Sequence, residues 1–211
     1  MRGRSAMLCT LLLANLLSSV PSAARAQPHA AVLSDADQTA VLAVSRYLNG
    51  LRALKGRFVQ VGPDGATTQG TMWLQRPGRM RFEYDKPSPL LLVAGGGVVV
   101  FHDAQLDQTT NIPVGQTPLG LLLADTIVLS GDVTLTALSR LPGQLQMTLV
   151  KTKAPGDGSL TLMLNSAPLA LVGWTVVDAQ GRETRVRLAG VQEGGSFDPK
   201  LFTFIDPDAG K

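Results

Sequence analysis

Residues 70–84 read GTMWLQRPGRMRFEY and have the clearest secondary-structure pattern in the chain. Apolar and charged side chains alternate from Met80 to Asp85, a period of two that is typical of a strand with one dry face and one wet face. Pro77 and Gly78 separate this run from the one before it and are common in tight turns. The stretch therefore predicts two antiparallel strands joined by a turn.

The same hairpin predicts which side chains face inward. The dry face of its second strand carries three apolar residues: Met80, Phe82 and Tyr84. In the first strand Met72 and Leu74 share a face with Arg76, whereas Trp73 points to the other side. Since that first strand has apolar residues on both faces, the pattern leaves open which of them lines the interior.

Short apolar runs separated by Gly, Pro and Asp continue along the chain. Together with the hairpin they predict strands at residues 57–61, 68–75, 80–84, 90–94, 98–102, 106–112, 133–138, 144–151, 159–164, 171–177, 184–188 and 201–205. Their spacing of roughly ten residues favours one large antiparallel sheet or barrel.

An amphipathic helix is predicted before the first strand. Apolar residues recur at intervals of three and four between residues 34 and 54, and Ser34 and Asp37 have the spacing of a capping box. Gly56 is expected to end the helix. A helix that buries one stripe needs a surface to lie on, and the predicted sheet supplies one.

A second, much shorter helix is predicted at residues 119–124, which are almost all leucine. Thr117 would be its N-cap and Pro118 its first residue. The segment has too few polar side chains to lie in water, so it must cover apolar surface. From the residues alone, the simplest interpretation is a plug that closes one end of a barrel.

The N-terminus has the pattern of a secretory signal peptide. Arg2 and Arg4 precede an apolar run at residues 6–20, and residues 24–26 read ARA, an A-x-A cleavage site. The run is shorter than the ~20 residues that a membrane-spanning helix needs. We expect cleavage after Ala26, which leaves one domain at residues 27–211.

Removal of residues 1–26 changes the charge and the cysteine count. The chain has 19 Lys and Arg against 16 Asp and Glu, and three of the cations (Arg2, Arg4 and Arg25) lie in the predicted signal peptide. The remainder has equal numbers of both signs, so the basic pI of 9.3 does not indicate a nucleic-acid partner. Cys9, the single cysteine, is removed as well, so the domain must be stabilised by its apolar core.

Residues suited to catalysis or metal binding are scarce. His29 lies near the predicted new N-terminus, and His102, followed by Asp103, is interpreted as a surface or rim histidine. The sequence has no G-x-S-x-G, His-Glu-x-x-His or glycine-rich phosphate motif. Glu83 and Asp85 would share the outer face of a strand, and a carboxylate hydrolase is the enzymatic alternative. We expect no enzyme, no cofactor and no metal.

Residues 70–84 resemble the outer-membrane lipoprotein carrier family, LolA. Further matches follow the family's order: Gly56-x-Phe58-x-Gln60, Asp103-x-x-Leu106-x-Gln108-x-Thr110, Thr117-Pro118 with Leu122-Leu123, Asp178-x-x-Gly181, and Phe202-Thr203-Phe204-x-x-Pro207. His102 departs from the family, which commonly has an aromatic residue there. The six motifs cover nearly all of the chain after the signal peptide.

This resemblance implies a mainly β (α+β) protein, an unclosed antiparallel β-barrel with an N-terminal amphipathic helix and a leucine-rich helical lid. It would be a monomer that carries the acyl chains of lipoproteins across the periplasm to the outer membrane. The implied partners are acylated lipoproteins, an inner-membrane lipoprotein-releasing ABC transporter and, in some bacteria, an outer-membrane acceptor lipoprotein.

The resemblance also implies roles for individual residues. Arg76 would be a latch that hydrogen-bonds lid backbone and holds the empty lid closed. The residues implied to line the acyl-chain cavity are Phe58, Met72, Leu74, Met80, Phe82, Tyr84, Leu119, Leu122 and Leu123. Two alternatives on the same fold stay open: a periplasmic lipid-binding sensor or regulator, and a carrier of free lipid.

Overall fold

The computed structural model describes residues 28–205, and eleven antiparallel strands dominate it. The strands are β1 (Ala53–Val61), β2 (Thr67–Gln75), β3 (Arg79–Tyr84), β4 (Leu90–Gly95), β5 (Val98–Asp103), β6 (Gln108–Pro113), β7 (Val133–Leu141), β8 (Gln144–Lys151), β9 (Gly158–Ser166), β10 (Leu169–Asp178) and β11 (Glu183–Glu193). The predicted signal peptide, its cleavage after Ala26, Cys9 and Pro207 lie outside the described residues.

All the strands belong to one sheet, in the order β6-β5-β4-β3-β2-β1-β11-β10-β9-β8-β7. The first and last strands thus meet in its middle, and β6 and β7, which are consecutive in the chain, form its two edges. Within the described residues these edges do not pair with each other, so the sheet is unclosed. The expected fold, an unclosed antiparallel sheet, is confirmed.

The sheet curls strongly around its apolar face. Phe82 on β3 and Trp174 on β10 are separated by three intervening strands, which would put them about 19 Å apart in a flat sheet. Their ring centroids are 6.1 Å apart, with the rings nearly perpendicular. Apolar residues from both halves of the sheet therefore form one core.

Helix α1 (Asp35–Gly50) packs on the concave side of the sheet and buries Val44 and Leu48 completely. Both hydrogen bonds of the predicted Ser34–Asp37 capping box are present. The prediction that the helix continues to Gly56 was wrong, because it ends at Gly50. Leu54 keeps the helical spacing of apolar residues, but it belongs to β1 and faces inward there.

The C-terminal segment covers part of the outer face of the sheet. The strand predicted at residues 201–205 is instead a 3-10 helix, Pro199–Phe202, whose first turn is capped by the Asp198 carboxylate accepting from the Lys200 N–H at 2.9 Å. The helix lies on β3 and β4, where the Arg81 Nη1 donates to the Leu201 carbonyl at 3.2 Å.

His102 is buried beneath this segment, so its interpretation as a surface or rim histidine was wrong. Its ring lies 5.2 Å from that of Phe204, and its Nδ1 is 3.0 Å from the Thr109 hydroxyl. His102 points outward from β5, and only the docking of a distant segment removes it from water. No helix in residues 28–205 is long and apolar enough to cross a membrane.

Candidate functional site

The inner faces of β1, β2 and β3 carry a tight aromatic cluster. The ring of Phe58 lies edge-on to those of Phe82 and Tyr84, with centroid distances of 4.6 and 5.1 Å. The Tyr84 hydroxyl donates to the Gln60 side-chain oxygen at 3.1 Å, and burial raises the pKa of Tyr84 to about 12. Tyr84 is therefore a neutral hydrogen-bond donor at any physiological pH.

Met72, Leu74 and Met80 complete this wall. Leu74 pairs with Met80 across β2 and β3, and Met72 pairs with Phe82. The three side chains are fully buried, which resolves the ambiguity about β2: its Met72 face is the inner one, and Trp73 lies outside beneath the Lys55 ammonium group.

The chain between β6 and β7, residues 114–132, crosses the concave side of the sheet and is called the roof here. It contains a 3-10 helix, Val114–Gln116, and the four-residue helix α2 (Gly120–Leu123). The prediction that Thr117 caps the leucine-rich helix was wrong. Thr117 ends the 3-10 helix, its hydroxyl donates to the Val114 carbonyl at 2.9 Å, and α2 begins three residues later without a side-chain cap.

Beneath the roof lies a cavity of about 450 Å³. The sheet and α1 contribute Leu48, Val133, Leu149, Leu160 and Leu162 to its lining; the roof contributes Gly120, Leu121, Leu122, Ala124 and residues 126–132. Its wall is largely aliphatic, and the polar side chains of Thr126, Ser130 and Asp132 lie in the loop between α2 and β7. The cavity is thus shaped for an apolar chain.

Only one of the predicted cavity residues, Leu122, lines this space. Leu123 is buried in the core and Leu119 packs against it, while the predicted residues of β1, β2 and β3 form the neighbouring packed wall. The lining residues that were not predicted lie in α1, in the roof and on β7, β8 and β9. The strand residues had a signal in the sequence, because apolar and polar residues alternate at 145–149 on β8 and leucine recurs at every second position of 160–164 on β9.

Arg76 follows β2 and its side chain lies almost fully buried between the roof and α1. Its Nε donates to the Ala124 carbonyl and its Nη2 to the Asp125 carbonyl, both at 2.7 Å. Its Nη1 donates to the carbonyls of Leu48 and Leu51 at the end of α1. One guanidinium therefore joins the end of α2 to the end of α1.

Arg52 adds a second cation to the same point of the roof. Its Nη1 donates to the Asp125 carbonyl at 2.9 Å, and its Nη2 pairs with the Asp125 carboxylate at 2.7 Å. Burial lowers the pKa of Arg76 from its ordinary value and the neighbouring Arg52 charge acts in the same direction, whereas the Asp125 carboxylate opposes them. The strongly basic guanidinium of Arg76 keeps its charge at physiological pH.

Three further contacts hold the roof. The side-chain amide of Asn49 pairs with both backbone groups of Ile127: its Nδ2 donates to the carbonyl at 2.8 Å, and its Oδ1 accepts from the N–H at 2.9 Å. The Gly78 N–H donates to the Leu123 carbonyl at 2.8 Å. At the start of the roof, the Lys151 ammonium donates to the Gly115 carbonyl at 2.6 Å.

The carboxylates considered for hydrolysis are engaged in ion pairs on the outer face. Arg57 pairs with Asp85 and holds the pKa of that carboxyl below its usual range. Arg81 pairs with Glu83 at 3.2 Å. Both lie on the side of the sheet away from the cavity, and no group of three or more His, Cys, Asp or Glu residues between residues 28 and 205 is placed to hold a metal ion.

Comparison with known proteins gives a consistent match. A family model described as "Outer membrane lipoprotein carrier protein LolA" matches residues 49–205. An outer-membrane lipoprotein carrier protein of Methylococcus capsulatus is 33% identical over 183 residues, which cover 82% of this chain and 87% of that protein. A protein of the same name from Azotobacter vinelandii is 28% identical over 190 residues, covering 83% and 88%.

Among solved structures, a LolA superfamily protein from Nitrosomonas europaea aligns over 77% of this chain and 97% of its own, with 10% sequence identity and a TM-score of 0.41.

Proposed function

Because this chain belongs to the LolA family of outer-membrane lipoprotein carriers, we propose that it binds the acyl chains of lipoproteins beneath the roof and carries them through the periplasm from the inner to the outer membrane. The observation that carries the proposal is the aliphatic cavity of about 450 Å³, covered by a segment that polar contacts hold in place.

The physical need for such a cavity follows from the cargo. Each methylene that is moved from water to an apolar site gains about 0.8 kcal/mol, so a chain of about a dozen costs on the order of 10 kcal/mol to expose. A lipoprotein with several acyl chains cannot cross an aqueous compartment uncovered. Leu149, Leu160 and Leu162 supply the apolar surface on the sheet side, and Leu121 and Leu122 supply it on the roof side.

In this proposal Arg76 is the latch of the roof. Its bonds to the Ala124 and Asp125 carbonyls exist while the roof is down, and they are replaced by water when cargo lifts it. Bonds present in only one state shift the equilibrium towards that state. Arg76 would thus favour the empty, closed form and thereby help the loaded protein to release its cargo.

Cargo contacts extend, in this proposal, to the packed wall beside the cavity. Lifting α2 removes Leu122 and Leu123 from the core and uncovers the apolar residues beneath them. The predicted lining residues Phe58, Met72, Leu74, Met80, Phe82, Tyr84 and Leu119 would then be reached by the longer or additional acyl chains.

The proposal includes export and two kinds of handover. The chain would enter the periplasm with cleavage after Ala26, receive lipoprotein from an inner-membrane ABC transporter as a monomer, and pass it to the outer membrane, in some bacteria through an acceptor lipoprotein. It includes no catalytic step. Mass spectrometry of the exported chain tests the cleavage site directly.

The main experiment is release of a radiolabelled lipoprotein from spheroplasts. The mature chain should release it as a one-to-one complex. Arg76→Leu should accept cargo but fail to pass it to outer membranes, because the closed state has lost its bonds. Arg46→Leu, which removes an arginine from the exposed face of α1, is the matched control and should behave like the wild type.

Two other results would reassign the function. If the wild-type chain releases no lipoprotein but binds a fluorescent fatty acid, the cavity serves a free-lipid carrier or a lipid sensor. Membrane-extracted free lipid in the protein fraction identifies the carrier, and its absence identifies the sensor.

A further inference from the structure

Two neighbouring points of the roof are held by different chemistry. At residues 124–125 the donors are the guanidinium groups of Arg76 and Arg52, which bond to carbonyl oxygens and to the Asp125 carboxylate. Two residues further on, the Asn49 amide matches both backbone groups of Ile127. These points are called the arginine end and the asparagine end.

The arginine end has a buried part and an exposed part: Arg76 is 5% exposed, whereas Arg52 and Asp125 lie at the surface. The side chains of Arg52 and Asp125 are 51% and 70% exposed, so water can replace their mutual bonds as the roof moves. Gains from exposed ion pairs are small for the same reason. The backbone groups of Ala124 and Asp125 that Arg76 binds are both acceptors, and accepting oxygens are readily hydrated when a chain segment swings outwards.

The asparagine end is shielded. The Asn49 amide is part-buried and also donates to the Ser45 carbonyl of α1 at 2.9 Å, so its orientation is fixed by the helix. The Ile127 side chain is 6% exposed and belongs to the core. Separating Asn49 from Ile127 would leave a donor and an acceptor without partners in an apolar setting, which is costly.

We propose that Asn49 is a positioning residue that fixes the pivot of the roof: Ile127 stays bound to α1 while residues 114–125 lift away from the arginine end. This inference rests on the proposed function and deepens it. The mouth then opens beside α2, and the part of the cavity lined by Ile127 and Leu129 keeps its shape in both states. Acyl chains would enter past Leu121 and Leu122, towards Leu160 and Leu162.

Paired cysteines test the pivot. One variant carries Asn49→Cys with Ile127→Cys, and the other carries Arg52→Cys with Asp125→Cys. Each pair is joined by the same short bifunctional thiol reagent with a reducible link. The natural Cys9 lies in the segment predicted to be cleaved, so the introduced pair supplies the thiols of the mature chain. Lipoprotein release from spheroplasts is measured before cross-linking, after cross-linking and after reduction.

Without the reagent the Asn49→Cys/Ile127→Cys variant has lost its pivot bonds, so cross-linking at the asparagine end should raise its release at least twofold. Cross-linking at the arginine end should instead lower release at least tenfold, and reduction should reverse both changes. A tenfold loss at both ends would overturn the pivot and leave the carrier function standing. Full activity at both ends would overturn the pivot as well, because the roof would then not open beside α2. If the cysteine variants release nothing even before cross-linking, while the wild type does, circular dichroism shows whether they are folded. The pivot is then tested by the fatty-acid affinity of Asn49→Ala.

Asn49→Ala removes the pivot without adding a thiol. The roof would then detach at both ends on loading, so the affinity for a fluorescent fatty acid should fall at least fivefold, while Asn49→Asp, which keeps the acceptor for the Ile127 N–H, should recover part of it. A purely structural role would lower the melting temperature of both variants without separating their affinities, and that result would overturn the inference. Failure of the wild type itself to release lipoprotein would instead remove the carrier function.

Discussion

Arg76 and Arg52 donate to the same atom, the carbonyl oxygen of Asp125, at 2.7 and 2.9 Å. Two cations thus converge on one point of the roof, and the Asp125 carboxylate offsets part of their repulsion. The backbone links them too, since the Arg76 N–H donates to the Arg52 carbonyl at 2.8 Å. Their contributions to roof closure cannot be independent.

The first prediction is non-additivity between these arginines. Residues that share a partner have interaction energies of about 0.5–3 kcal/mol. We expect Arg52→Gln and Arg76→Leu together to change the free energy of unfolding by an amount that differs from the sum of the single changes by at least about 0.5 kcal/mol. Urea unfolding of the four proteins measures the difference; Arg46→Leu combined with Arg76→Leu should be additive.

The second prediction concerns the cavity. Val133→Trp places a large ring at its edge, so the affinity for a fluorescent fatty acid should fall at least tenfold. Stability should change by less than about 3 kcal/mol, since the ring enters existing space. The control is Val150→Trp on β8, outside the cavity lining. Equal loss of affinity in both variants would show that the ligand binds elsewhere.

The third prediction concerns the C-terminal segment. A Cβ on Gly95 would lie 2.2 Å from the Phe202 carbonyl oxygen, which is too close for any relaxed structure. Gly95→Ala should therefore displace the 3-10 helix from β4 and expose His102. Limited proteolysis should then cleave near residue 200 much faster than in the wild type. Gly115→Ala, where a Cβ meets nothing within 4 Å, should cleave at the wild-type rate.

The fourth prediction concerns the start of α1. The Ser34 hydroxyl accepts from the Asp37 N–H at 3.2 Å, and losing such a cap costs about 0.5–2 kcal/mol. Ser34→Ala should be less stable by this amount in urea unfolding, and Ser34→Asn, which keeps a capping oxygen, should recover most of the loss. Equal losses in both variants would show that the cap contributes little.

The fifth prediction concerns acid stability. Hydrogen bonding to Arg57 lowers the pKa of Asp85 in the folded state. A lowered folded-state pKa means that the stabilisation is fully present above the unfolded value of about 3.9 and is lost as the pH falls through the folded value. Asp85→Asn should therefore flatten the pH dependence of unfolding below about pH 4. Asp107→Asn, in an exposed turn, should leave the wild-type slope unchanged.

The hairpin at residues 70–84 and the capping box were predictable because local chemistry decides them. The helix end was not, since Leu51 and Leu54 keep the helical spacing, and it is the pairing of β1 with β2 and β11 that places Leu54 in a strand. Likewise, residues 201–205 read LFTFI, and nothing within these five residues excludes a strand. Asp198 and Pro199 before them favour a tight turn, and this signal was overlooked.

The candidate site was predictable in part. The leucine-rich segment was predicted from its composition and Arg76 from the resemblance, and Arg76 hydrogen-bonds the end of that segment at Ala124. The aliphatic lining on β8 and β9 was not predicted because none of the six family motifs falls on these two strands. Asn49 carries no sequence signal at all: its partner, Ile127, is 78 residues away and contributes only backbone groups.

The strand order has a mechanical consequence. The roof is also the stretch of chain that links β6 to β7, the two free edges of the sheet. When the roof lifts, β6 and β7 can move apart without breaking a hydrogen bond between strands. The two strands are not paired with each other and are connected only through the rest of the sheet, by way of β1 and β11. The cavity can therefore widen when the sheet becomes less curved. Its maximum volume depends on the curvature of the sheet and on the length of residues 114–132.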